Sequence, residues 1–146
     1  MKTVLEGSDA GVPHRWMSKL AGAMLAAVGL IHLLPAVGVL GAERLTALYG
    51  IAFDDPNLVL LMRHRAVLFG LLGAFLLLGA LRQPLRSLAF GAGFGSVGSF
   101  LLLAGLPDGY TAPVERVLVV DAVALVGLIV GAGAHAVQHR RRRSGA

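Results

Sequence analysis

The sequence of 146 residues contains no cysteine, which excludes disulfide bridges, thiol redox relays and thiolate metal sites. It is also poor in charge, since only 14% of its residues are charged whereas 56% are hydrophobic and the mean hydropathy is +0.76. A soluble domain of this size carries about a quarter charged residues. One small soluble core could not bury so much apolar surface. The composition therefore predicts an integral membrane protein, in which lipid covers part of the apolar surface.

Four apolar segments follow one another along the chain, at residues 20–40, 65–81, 88–106 and 114–137. Each approaches the ~20 residues that a helix needs to cross ~30 Å of hydrocarbon. The segments are continuous and lack the period-two alternation of membrane strands. The sequence therefore predicts an all-α fold, an integral membrane four-helix bundle over residues 17–138. A disordered polar lead, residues 1–16, precedes it and a basic tail, residues 139–146, follows it; Met1 and Met17 both remain open as the start of translation.

Lysine and arginine are distributed unevenly between the two sides of these spans. Nine lie on the side that carries both termini, namely Lys2, Arg15, Lys19, Arg82, Arg86 and the four arginines 140–143. Four lie on the other side, namely Arg44, Arg63, Arg65 and Arg116. By the positive-inside rule, both termini are predicted to be cytoplasmic. The run of four arginines is then a juxtamembrane tail on the cytoplasmic side, and no nucleic-acid partner is predicted.

The first outer connection predicts a short helix that lies in the membrane interface. Residues 42–49 have helical spacing, Gly50 can supply a left-handed C-terminal cap, and Tyr49 is expected at headgroup depth. Asp55 followed by Pro56 is typical of an N-cap and the first residue of a helix. The second spanning helix is therefore predicted to begin at Pro56, before its apolar run, and to continue unbroken to the inner turn.

Most ionisable side chains inside the spans fall in the outer half of the bundle. His32 lies about 12 Å and Asp121 about 10 Å from the outer ends of their segments, at 1.5 Å per residue. Arg63 and Arg65 reach a similar depth because their helix begins early. Ionisable groups inside a membrane are costly, so each is a candidate for function. The predicted ligand or ion-pair site consists of His32, Arg63, Arg65, Asp121 and, nearer the surface, Glu115.

Two interpretations of this cluster remain open. In the first, an arginine pairs with Asp121, His32 joins them, and the group binds a ligand or moves protons. In the second, a buried pair only fixes the helix register, and His32 hydrogen-bonds a backbone carbonyl near Pro35. Helical spacing separates Arg63 and Arg65 by about 200°, so one of them faces the interior. Arg63 is expected to be that residue, because it shares its stripe with small side chains.

Small residues recur at every fourth position on three of the spans, a pattern typical of close helix packing in lipid. The predicted packing positions are Gly70, Gly91, Gly95, Gly127 and Gly131. His135 and His139 are one helical turn apart, which is compatible with a metal ion. The four arginines that follow would repel a cation and no acid lies beside them, so no metal and no cofactor are predicted.

Two stretches of the chain carry a family resemblance, residues 32–82 and the run VERVLVVDAVAL at 114–125, and their most specific elements are LYG, DDPN and MRHRA. With them the chain resembles a family of small bacterial four-span proteins of uncharacterised function in the DoxX-like group. The resemblance covers residues 18–135. It implies a multi-pass four-helix protein of the bacterial cytoplasmic membrane.

Members of this family are often labelled phosphopantetheine adenylyltransferase, and such enzymes carry a T/H-x-G-H motif on a soluble α/β fold. None of the five histidines in this chain is followed two residues later by glycine, so that activity is not predicted. Some DoxX-like relatives are linked to quinone-dependent thiosulfate oxidation. This chain shares their four-span layout but has no cysteine and no cofactor signature.

The sequence thus favours a non-enzymatic bundle, a binding, transport or accessory membrane subunit with a polar site open to the outer side. The alternative is a membrane oxidoreductase component that binds a quinone or another small anionic ligand. A third interpretation is a structural subunit of a larger complex. The predicted partners are the lipid bilayer, a small anionic or quinone-like ligand, and another membrane protein or a second copy of the chain.

Overall fold

The computed structural model of the protein describes residues 12–105 and 109–144, and this part of the chain is helical and contains no strand. The elements are, in order, α1 (Val12–Leu33), a first 3-10 helix (Leu34–Leu40), α2 (Ala42–Tyr49), α3 (Pro56–Leu81), a second 3-10 helix (Gln83–Leu85), α4 (Arg86–Ala104) and α5 (Ala112–Ser144). Four helical stretches are long and apolar enough to cross a membrane, namely Arg15–Leu40, Pro56–Leu81, Gln83–Ala104 and Ala112–Arg141. The predicted all-α fold is confirmed for the described residues, and four helices have the length and apolarity that the prediction of four spans requires.

The long helices α1, α3, α4 and α5 form a ring in which each packs against the next and α5 packs against α1. Their shared core contains fully buried side chains from all four helices, among them Leu25, Leu76, Val97 and Leu128. Many large apolar side chains point outward instead, and Leu102 is 78% exposed. Because exposed apolar surface of this extent is unfavourable in water, it fits a surface covered by lipid.

The first span differs from the continuous α-helix that its apolar run predicts. The α-helix ends at Leu33, and the chain continues as a 3-10 helix over Leu34–Leu40. Pro35 has no N–H and its ring clashes with the carbonyl four residues earlier, so the chain coils more tightly there. α1 also begins at Val12, which makes residues 12–16 of the predicted polar lead helical, whereas residues 1–11 lie outside the described part.

Local capping fixes the connections on the side away from the termini. α3 begins at Pro56 as predicted, because the Asp55 carboxylate accepts a hydrogen bond from the Asn57 backbone N–H at 2.8 Å. Gly50 follows α2 in the left-handed conformation, with φ 69°. The Thr111 hydroxyl donates to the Tyr49 carbonyl at 2.7 Å. This bond fastens the end of α2 to the start of α5.

At the opposite end, Arg86 is buried, with an exposed fraction of 6%, although its position in a charged turn predicts a solvent-exposed flank. Its Nη1 donates to the Ser18 carbonyl at 2.8 Å, and its Nη2 donates to the Ala80 carbonyl at 3.0 Å. Carbonyls in the last turn of a helix have no partner within that helix. Arg86 therefore supplies one for α3 and ties α1, α3 and α4 together.

The predicted packing glycines fall into two groups. A Cβ added at Gly131 would stand 2.8 Å from the Met24 Cβ, and one at Gly70 or Gly127 would be at ordinary contact distance from a neighbouring helix. Gly91 and Gly95 are exposed, and a Cβ added there would have no atom of another described helix within 4 Å. The structure therefore does not place these two glycines against another helix of the chain, because α4 turns a different face inward.

Candidate ligand-binding site

The early start of α3 carries Arg65 into the bundle. Arg65 lies nine residues after Pro56, about 14 Å along the helix axis, and is half-buried. Its guanidinium carbon stands 5.0 Å from the ring centre of Phe69, 5.7 Å from that of Tyr49 and 5.8 Å from that of Phe100. Aromatic faces attract a desolvated guanidinium. Three helices, α2, α3 and α4, thus contribute rings that hold Arg65.

Arg63 has a different environment from the one expected. It is exposed, and its Nε donates to the Val39 carbonyl at 2.9 Å. The small residues that share its stripe do face a neighbour, since Ala66 and Gly70 pack toward Gly38 and Ala36 of the first 3-10 helix. Arg63 itself is nevertheless exposed whereas Arg65 is half-buried, so the arginine that faces the interior is Arg65 and not Arg63.

His32 is buried, with an exposed fraction of 3%, and its Nδ1 lies 2.9 Å from the Val28 carbonyl oxygen. The imidazole thus contacts a backbone carbonyl, as the second interpretation expects, but this carbonyl belongs to Val28 and not to the turn beside Pro35. A carbonyl can only accept, so Nδ1 must carry the proton of this hydrogen bond. The other ring nitrogen, Nε2, is then an acceptor in the neutral imidazole and becomes a donor only when the ring is protonated.

Asp121 is half-buried on α5 and interacts electrostatically with both His32 and Arg65. Within the described residues, however, no nitrogen of Arg63 or Arg65 lies within 4.0 Å of an oxygen of Asp121, so neither arginine forms an ion pair with this carboxylate. The direct arginine–aspartate pair, which was expected because these residues lie at similar depths along their helices, is therefore absent from the described part of the chain. The aromatic rings around the Arg65 guanidinium account for its position, and a cavity separates it from the carboxylate.

That cavity has a volume of about 260 Å³, close to the lower end of the range for small-molecule sites. Its polar lining residues are His32, Tyr49, Arg65, Arg116 and Asp121. The remaining lining residues are apolar, namely Ile31, Leu34, Pro35, Ala47, Leu48, Phe69, Pro113, Val117 and Val120. The lining therefore contains two guanidinium groups and one carboxylate among apolar side chains. Arg65 and Asp121 are half-buried, whereas Arg116 is exposed.

The structure brings together His32, Arg65 and Asp121 from the predicted cluster and leaves Arg63 and Glu115 outside the cavity lining. It adds Arg116 and Tyr49, which the sequence-based site omits. A signal for the α5 side of the cavity is present in the sequence, because Pro113, Val117, Val120 and Asp121 recur at the spacing of one helical face. Arg116 precedes Val120 by one turn and adjoins this face. No comparable signal identifies Tyr49, since α2 reaches the cavity through tertiary packing.

Comparison of this chain with protein-family models, with curated proteins and with solved structures gives no match.

Proposed function

We propose that this multi-pass membrane protein binds a small amphipathic anion in its cavity, as a binding, transport or accessory subunit without enzymatic activity. The observation that carries the proposal is the excess of arginine in the cavity, Arg65 and Arg116 against Asp121 alone. Arg116 is exposed near the start of α5, whereas Arg65 is half-buried and has no ion pair within the described residues. A charged group at membrane depth is costly, and a bound anion would pair with Arg65 there. The apolar walls favour a ligand whose remaining surface is apolar.

The polar residues would have separate roles toward such a ligand. The rings around Arg65 hold its guanidinium plane in place, so less side-chain entropy is lost when it pairs with a carboxylate or a similar anion. Arg116 lies closer to the start of α5 and would meet the anion as it enters. Nε2 of neutral His32 would accept a hydrogen bond from a hydroxyl of the ligand. Asp121 would disfavour a ligand with a second negative charge.

The proposal extends to the location of the protein. We place both termini in the cytoplasm and the cavity in the outer half of a bacterial cytoplasmic membrane, as the charge distribution and the DoxX-like resemblance predict. In this orientation the cavity would receive its ligand from the outer side. The interface helix of the prediction would be α2, which supplies Tyr49 and Leu48 to the cavity wall.

A quinone-binding component of a membrane oxidoreductase is the second candidate. The rings of Phe69 and His32 lie 5.8 Å apart at the cavity wall and offer flat surfaces for a quinone ring. The hydroxyl of a reduced quinone would donate a hydrogen bond to Nε2 of His32. The aromatic wall supports this candidate, whereas the two arginines favour the anion.

A matched pair of ligands tests the first proposal. We expect 4-butylbenzoate to bind the protein in a non-ionic detergent more tightly than its neutral isostere 4-butylbenzamide, as measured by isothermal titration calorimetry. Arg65→Gln and Arg116→Gln should each weaken benzoate binding by about tenfold or more, since a hydrogen bond to a charged group contributes about 1.5–3 kcal/mol.

Arg63→Gln is the matched control, because Arg63 lies on the same helix but outside the cavity lining, and it should leave benzoate binding unchanged. Equal affinities for benzoate and benzamide, or equal losses in Arg63→Gln and Arg65→Gln, would refute the anion site. A short-chain benzoquinone that binds in place of the benzoate, and whose affinity falls in His32→Phe, would establish the second candidate instead.

A further inference from the structure

A second polar cavity lies at the opposite end of the bundle, where α4 begins and α5 approaches its end. Its volume is about 280 Å³, and it is lined by Gln83, Pro84, His135, Gln138 and His139. Gln138 follows Asp121 on α5 by seventeen residues, or about 26 Å of helix. The two cavities are therefore separate sites, and the second one does not depend on the function proposed for the first.

Gln138 is the most unusual residue of this inner cavity. Its exposed fraction is 4%, and its Nε2 is fully buried without a hydrogen-bond partner in the described part of the chain. A buried donor that has lost its hydration without gaining a partner is unfavourable. The free energy lost there would be regained if the amide turned toward the cavity and met an acceptor oxygen that had entered it.

The neighbours of Gln138 are suited to an acceptor with negative charge. The Ser87 hydroxyl and Nε2 of His135 are 3.1 Å apart, and the His139 ring stands edge-on to the His135 ring at 6.2 Å. Beyond Asp121 the sequence of α5 contains no acid, and Arg140 follows His139 directly. No group of three histidine, aspartate or glutamate side chains that could hold a metal ion occurs in residues 12–105 and 109–144.

The depth of the cavity indicates which anion is available. Gln138 lies twenty-six residues after Ala112, so about 39 Å of helix separates it from the start of α5. This length exceeds the ~30 Å of the hydrocarbon core and brings Gln138 to the level of the lipid headgroups. Trp16, which is 51% exposed, lies near the same end, and tryptophan is enriched at that level of a membrane.

We propose that the inner cavity binds the phosphate group of an anionic phospholipid, and that the amide of Gln138 donates to a phosphate oxygen. The Ser87 hydroxyl, His139 and the neighbouring Arg140 complete the surroundings of the phosphate. Basic pockets between membrane helices bind such headgroups. The lipid would thereby join the start of α4 to the end of α5.

Thermal unfolding of the full-length protein in dodecyl maltoside tests the proposal, at constant ionic strength. We expect dihexanoyl phosphatidylglycerol to raise Tm in a saturable manner, because a ligand that binds only the folded state stabilises it. Dihexanoyl phosphatidylcholine, which has no net charge, should not raise it. Inorganic phosphate is the third ligand tested. If only phosphate raises Tm to saturation, the site binds the free anion and not the lipid. If only the anionic lipid raises Tm, the site binds the headgroup.

Gln138→Leu isolates the cavity from the general attraction between anionic lipids and a basic tail, since it changes no charge. Without lipid this variant should have an unchanged or higher Tm, because it removes a buried donor that lacks a partner. Its half-saturating lipid concentration should rise by about tenfold or more, as expected for the loss of a hydrogen bond to a charged group. Arg63→Gln, at the other end of the bundle, should respond to the lipid as the unmodified protein does.

His139→Leu provides a second variant if Gln138→Leu does not fold, because His139 lines the same cavity and is exposed. An unchanged half-saturating concentration in the variant that folds would overturn the proposal. Equal stabilisation by the two lipids, or no stabilisation by either lipid or phosphate, would overturn it as well.

Discussion

Arg63 and Arg65 stand two positions apart on α3, and their guanidinium groups meet different surroundings. Arg63 donates to a carbonyl of the first 3-10 helix, whereas Arg65 faces three aromatic rings at the cavity wall. Helical spacing predicts that only one of them faces the interior. It does not identify which one, because Tyr49 and Phe100, which help to hold Arg65, belong to other helices. The position of Arg65 is thus a consequence of tertiary packing.

A double-mutant cycle measures the interaction across the cavity. Asp121→Asn, Arg65→Gln and their combination should show a coupling free energy of about 1 kcal/mol in equilibrium unfolding in mixed detergent micelles, because the two charges interact without direct contact. A direct buried pair would instead cost about 3–5 kcal/mol when one partner is removed. The same cycle with Arg63→Gln should be additive. Stronger coupling of Asp121 to Arg63 than to Arg65 would contradict the arrangement of this site.

Arg86 and Gln138 illustrate what the sequence alone leaves undetermined. Arg86 follows a turn, and Gln138 follows the apolar part of α5. Polar side chains at such positions ordinarily face water or lipid headgroups, so no local pattern predicts that these two are buried. Arg86 is buried because the carbonyls of Ser18 and Ala80 come together at one end of the bundle. By contrast, the depths of His32 and Asp121 along their helices follow from helical rise, and both residues line the same cavity.

At the scale of helices, α4 carries two stripes of small residues with the same four-residue period. One consists of Gly91, Gly95 and Ser99, and the other of Ala89, Gly93 and Val97. Only the second is buried. Periodicity therefore predicted a small-residue face on α4 but could not select the stripe, which depends on where α3 and α5 approach. The four long apolar helices and the start of α3 were predictable, because hydropathy and capping act locally.

Alanine substitutions distinguish the two kinds of glycine. A Cβ added at Gly73 would stand 2.8 Å from the Gly29 carbonyl oxygen, so Gly73→Ala requires α1 and α3 to move apart. We expect it to lower the free energy of unfolding by about 1–3 kcal/mol, as overpacking does. Gly91→Ala should have no such cost and should gain up to about 1 kcal/mol from helix propensity. Denaturation in mixed micelles of sodium dodecyl sulfate measures both values.

A destabilisation by Gly91→Ala as large as that by Gly73→Ala would contradict this account. It would show that the exposed face of α4 packs against something in the purified protein. Sedimentation in detergent would then decide whether a second copy of the chain covers that face, as the sequence-based prediction of a homo-oligomer allows.

At the scale of the whole molecule, the two ends of the bundle differ in chemistry. The end with α2 carries the acids Glu43, Asp54, Asp55 and Glu115, and its cavity reaches inward to Asp121. The other end carries the basic turn after α3 and the arginines at the end of α5. Lipid-facing apolar side chains separate these ends on every long helix. The molecule therefore has an electrostatic polarity along the axis of the bundle, and the predicted orientation rests on this polarity.

Reporter fusions test that orientation. Fusions at residue 10, at residue 84 and at the C-terminus should be cytoplasmic, and fusions near Gly50 and Gly109 should be external, because nine lysines and arginines lie on the first side and four on the second. Complete inversion of all five results would keep the four spans but would move the cavity lined by Arg65 to the cytoplasmic side. An external C-terminus combined with a cytoplasmic residue 10 would require an odd number of crossings, and one of the four long helices would then not span the membrane.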